Sequence, residues 1–88
     1  MKLKKGFLIR QLSAETVLVP VGKRSFAGLV RLNRTAAFIV QQIRDEDVTE
    51  EQILARVLEK YDVDRDTAMR DIGKVLGILR SVNALEES

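Results

Sequence analysis

The hydrophobic period of this chain changes once, and the change constrains everything else. Up to Leu32 the apolar residues alternate or run in short β-rich blocks. From Ala36 onward they fall at Ala36, Ile39, Val40 and Ile43, the i, i+3, i+4, i+7 spacing of a helix face. Between the two lies Asn33, whose side-chain oxygen suits it to cap the first turn of a helix. A strand that runs straight into a helix must pack its last residues beneath that helix. The stretch Gly28–Ile43 is therefore expected to be the hub of the fold.

Before the switch, Phe7–Leu12 and Thr16–Val21 read as two strands joined by Ser13-Ala14-Glu15. Pro20 lacks a ladder donor and belongs near a strand end. A second connection runs from Gly22 to Gly28, and Leu29–Leu32 is the third strand, with Val30 and Leu32 facing inward. After the switch, Thr49-Glu50-Glu51-Gln52 matches a capping box. A second helix follows, with the stripe Ile53, Leu54, Val57, Leu58, Tyr61. Asp64 caps a third, whose inner stripe is Ala68, Ile72, Val75, Leu76, Leu79. Asn83 suits the left-handed residue that ends a helix, and Ala84–Ser88 is a short acidic tail. The expected architecture is α+β and winged-helix-like, a three-stranded antiparallel sheet followed by three helices (βββααα), in a single domain over residues 1–88.

Composition excludes more than it assigns. The chain has no Cys and no His, which removes thiolate chemistry and the commonest metal ligand and neutral-pH base. No Gly-rich phosphate loop or nucleophile–base pair is present, and DVDRDTAMRDI lacks the glycine and terminal glutamate of a calcium loop. The expectation is a non-enzyme with no cofactor and no metal. No apolar run approaches the roughly 18 residues of a membrane span, and FLI is too short for a signal peptide, so a cytoplasmic location is expected.

Charge is unevenly spread. Residues 1–40 carry eight Lys/Arg against one acid, and residues 41–88 carry seven against twelve. One reading is two solvated faces that attract each other. The other is a basic sheet edge that meets an acidic partner.

Two features lie outside the core pattern. In a sheet of consecutive hairpins the third strand is an edge, able to accept another strand. Lys23, Arg24 and Arg31 there either guard against aggregation or attract an acidic extended peptide. On helix three, Ile78 lies about 120° from Ile72 in the apolar stripe, at 100° per residue. It is either an isolated surface aliphatic or part of a flank of Asp71, Lys74, Val75, Ile78 and Val82 lining a groove beside the sheet. Gly73 and Gly77 either admit a close neighbour or are simply tolerated. A winged-helix DNA binder is the alternative. Asp62, Asp64, Asp66 and Asp71 at the start of the would-be recognition helix argue against it, because they repel phosphate.

Taken in order, Pro20-Val21-Gly22, Gly28-x-Val30-x-Leu32-Asn33, Thr35-Ala36-Ala37-Phe38-Ile39, Thr49–Ile53, Tyr61–Asp64 and Asp71-Ile72 resemble the pyrroloquinoline quinone biosynthesis protein D (PqqD) family over about residues 4–85. That family is the prototype of the RiPP recognition element, which binds leader peptides of ribosomally made, later modified peptides. The chain departs from the family pattern with Val40 in place of a frequent Trp and, at the end of helix three, Asn83 in place of a frequent Gly. The resemblance implies that a leader segment adds antiparallel to strand three along Gly28, Leu29, Val30, Arg31 and Leu32. Its side chains would enter a groove formed with Asp71, Lys74, Val75, Ile78 and Val82. It also implies delivery of the precursor peptide to a separate modifying enzyme, commonly a radical S-adenosylmethionine enzyme, in natural-product biosynthesis. The same exposed edge would serve a monomer or a strand-exchanged dimer.

Overall fold

A computed structural model describes residues 1–13, 15–20 and 30–87. Among the described residues, five strands and three helices follow in the order β1 (Lys2–Leu3), β2 (Phe7–Leu12), β3 (Glu15–Pro20), β4 (Val30–Leu32), α1 (Arg34–Asp45), α2 (Glu50–Lys60), α3 (Arg65–Ser81) and β5 (Leu85–Glu86). The expected βββααα core is present as β2-β3-β4 followed by the three helices, and the sheet order places β4 at one edge.

The structure adds a second, two-stranded ladder. β1 pairs antiparallel with β5, Leu3 opposite Leu85, so Leu85–Glu86 of the acidic tail is held in a ladder. Two-residue strands carry no readable period. What holds them is burial of Leu3 and Leu85 against the core and a bond from the Lys4 N–H to the Ala84 carbonyl at 2.8 Å. The first connection also differs. Leu12 pairs with Glu15, so two residues rather than three separate the strands. Ser13 takes a positive φ of 45° to close that tight turn.

Each helix starts where its capping residue places it. The Asn33 Oδ1 accepts from the Ala36 N–H at 2.8 Å. The Thr49 Oγ1 accepts from the Gln52 N–H at 3.1 Å while the Gln52 side chain accepts from the Thr49 N–H at 2.9 Å, completing the capping box. Thr49→Ala removes one half of this exchange and is expected to cost about 1 kcal/mol, read as a lower urea midpoint. The Asp64 Oδ1 accepts from the Thr67 N–H at 2.7 Å. That backbone bond, with the Thr67 hydroxyl beside it, holds the Asp64 carboxyl below its ordinary value of 3.8. A depressed folded-state pKa contributes stability above the unfolded value, lost as pH falls through the folded one. Asp64→Asn keeps a capping oxygen but cannot titrate. It is therefore expected to flatten the acid limb of a stability-versus-pH curve below about pH 4.

Helix α3 ends in a Schellman turn. Asn83 has φ 58°, its N–H donates to the Arg80 carbonyl at 3.1 Å, and the Ala84 N–H donates to the Leu79 carbonyl at 2.8 Å. Leu79 and Ala84 are fully buried, and the turn aims the chain into β5.

The core lies between the larger sheet and the helices. Leu18 and Leu32 form its floor, and Ile39, Val40, Ile43, Ile53, Val57, Ile72, Leu76 and Leu79 fill it. Helix α1 touches β1, β3, β4, α2 and α3. The junction expected to be the hub is therefore the element every layer packs on. On β3, Val17 faces away from the helices yet is as buried as Leu18, so the outer sheet face is not uniformly wet.

Candidate functional site

Strand β4 is short, and its position is set from both sides. Its inner edge pairs with β3, Val30 opposite Leu18 and Leu32 opposite Thr16. Leu32 is buried beneath α1, and the Asn33 cap fixes the chain immediately after it. Among the described residues no backbone bond reaches the outer edge of β4. Arg31 alternates to the outer face, its side chain 81% exposed, with Nε 3.9 Å from the Glu15 carboxylate. At that distance and exposure the pair restrains Arg31 only weakly.

A cavity of about 170 Å³ lies between β4, the first turn of α1 and the outer flank of α3. Arg31, Leu32, Asp71, Lys74, Val75 and Ile78 line it, together with Asn33, Thr35, Ala36 and Leu79. Ile78 is 45% exposed, an apolar side chain that the core does not use. Val75 and Leu79 form a buried apolar back wall. Asp71 and Lys74 stand on the rim with no ion pair to any described residue. An aliphatic cavity of about 150 Å³ holds benzene, so this one has room for one aliphatic or aromatic side chain.

The remaining sequence-derived site residues fall elsewhere. Val30 and Val82 are half-buried and pack on the core without lining the cavity. Val82 caps α3 through its N–H to the Ile78 carbonyl. Gly28, Leu29, Lys23 and Arg24 lie outside the described residues. Asn33, Ala36 and Leu79 were not expected, because each has a local role as cap or core residue that accounts for its presence, and Thr35, half-buried in the first turn of α1, gave no signal of its own. The available signal was Ala36: a small side chain in the first turn of a packed helix leaves space beside it. Gly73 and Gly77 face open space, with nothing within 4 Å of a Cβ built at either, so they admit no close neighbour within the described chain.

No group of three or more acidic residues among those described could hold a metal ion. No described helix is long and apolar enough to cross a membrane.

These features define a class: a small α+β domain of winged-helix-like build, with an open strand edge beside an apolar-lined groove. The solved structure titled "TbiB1 in Complex with the TbiA(beta) Leader Peptide" has the same fold, with a TM-score of 0.78 over 100% of this chain and 98% of that one, at 24% identity. No curated protein matches the sequence. The profile of the family described as Coenzyme PQQ synthesis protein D (PqqD) matches residues 15–85, and the chain belongs to that family.

Proposed function

We propose that this domain binds the leader segment of a ribosomally made precursor peptide and presents it to a separate modifying enzyme, without doing chemistry itself. The leader adds as a strand antiparallel to β4. Main-chain bonds to the open edge supply affinity, and one side chain entering the cavity against α3 supplies selectivity. The observation that carries this reading is the meeting of the two features: the edge of β4 left unpaired among the described residues and the apolar cavity share Arg31 and Leu32. Family membership supports it, as does the likeness to a protein solved with a leader peptide. The start of α3 does not favour DNA: Asp62, Asp64 and Asp66 are all exposed there.

The test is amide chemical-shift mapping with short peptides encoded beside this gene. Saturable shifts concentrated in Val30–Leu32 and Asp71–Val82 are expected. Shifts confined to α2 would exclude the β4–α3 groove as the site.

A further inference from the structure

A second cleft lies on the other side of the β4–α1 junction. It is open, about 810 Å³, and runs between the far ends of β2 and β3, the start of α1 and the end of α2. Leu32 and Asn33 line both this cleft and the groove, so the two sites stand back to back. A peptide paired along the outer edge of β4 leaves this one free.

Its chemistry is one-signed. Among the described residues Arg34 and Lys60 are its charged residues, Gln11 and Gln41 add amides, and no acid lines it. Neither cation has a carboxylate within 4.0 Å among the described residues. Arg34 also breaks a local rule. It sits in the first turn of α1, at the positive end of the helix dipole, where cations are disfavoured. That turn holds no acid, whereas the first turn of α2 holds Glu50 and Glu51, and in α3 the cation at the matching position, Arg65, has Asp66 beside it. A charge placed against the local field without a partner is a feature expected at functional positions. Lys60 is held over an aromatic corner: its Nζ is 5.4 Å from the Phe38 ring centre and 5.9 Å from that of Tyr61. The rings meet edge to face at 5.7 Å, giving the cation a rigid seat.

We propose that this cleft docks an acidic, extended segment of a partner protein, distinct from the peptide that adds to β4. Carboxylates of the segment neutralise Arg34 and Lys60, and the side-chain amides hold its backbone. The open width and the absence of any unsatisfied buried polar side chain among the described residues fit a protein segment better than a small ligand. Two cations are few for a nucleic-acid track, and Lys60 occupies the ring corner on which a base would stack.

The test titrates the isotope-labelled protein at low ionic strength with an end-capped octaglutamate peptide, with octaglutamine and oligothymidylate as comparisons. Octaglutamate is expected to shift Arg34, Phe38, Gln41, Lys60 and Tyr61, and octaglutamine to leave them in place. Arg34→Gln and Lys60→Gln, both at exposed positions, are each expected to weaken binding about two- to fivefold, and Met69→Ala, exposed on α3 and lining neither cleft, to leave it unchanged. Shifts centred on Lys2, Lys4 and Lys5, or affinity indifferent to both glutamine variants, would overturn the proposal. Stronger shifts of the same residues by oligothymidylate would assign the cleft to nucleic acid instead. Each of these readings stands apart from leader binding at β4.

Discussion

Ile78→Asp is expected to weaken peptide binding by about thirty- to several-hundredfold while the domain stays folded. Ile78 is 45% exposed and lines the cavity beside β4. A guest side chain that fills this cavity covers the exposed part of Ile78, which contributes about 1 kcal/mol at the usual area coefficient. Aspartate forfeits that contact and places a carboxylate where water is being expelled, adding a desolvation cost of about 1–3 kcal/mol. Every 1.4 kcal/mol is tenfold in affinity. The fold loses much less. Ile78 lies outside the core cluster, so the change costs only a modest helix propensity and an unfavourable charge near the end of α3, together about 1 kcal/mol. Calorimetric titration reads the first effect and thermal melting the second. Unaltered affinity in a folded variant would remove α3 as a wall of the site.

Leu76→Ala, two residues away, is expected to do the reverse. Leu76 is fully buried, on the face of α3 that packs against α1 and α2, and does not line the cavity. Truncation leaves a hole that helices tied at both ends close only partly, so the cost is about 2–5 kcal/mol. At roughly 0.05–0.15 kcal/mol per residue, a domain of this length has about 4–13 kcal/mol in all, so the loss is a large fraction of it. Its melting temperature should fall by about 10 °C or more, with the urea midpoint falling at unchanged slope. Since the groove residues are intact, saturating peptide should restore part of the loss, because a ligand that binds only the folded state stabilises it by mass action. Loss of both stability and rescue would mean that the α3 wall depends on the core packing beneath it.

These two residues show why parts of the chain were legible and parts were not. Leu76 lies on the apolar stripe and Ile78 off it, and helical periodicity alone separates them. Asn33, Thr49 with Gln52, Asp64 and Asn83 were readable for a related reason: each acts on backbone groups within five residues of itself. The edge position of β4 was readable because consecutive hairpins order their strands in sequence. The β1–β5 ladder was not. Its partners are Leu3 and Leu85, at opposite ends of the chain, and neither segment is long enough to show a period. Asn33, Thr35, Ala36 and Leu79 were missed as site residues because a cavity between two helices depends on how far apart they sit, which no local pattern encodes.

The sequence by itself determined where strands give way to helices, where each helix starts, and which face each helix buries. Those properties follow from backbone capping and side-chain period, and both act over a few residues. Only the tertiary structure decided that the chain ends pair and that α3 passes β4 at a distance leaving room for one side chain. It also decided that Arg34 and Lys60, from different helices, share a cleft with no acid among its lining residues. Those properties depend on the separation of elements, which is set when α1 is packed from every side at once.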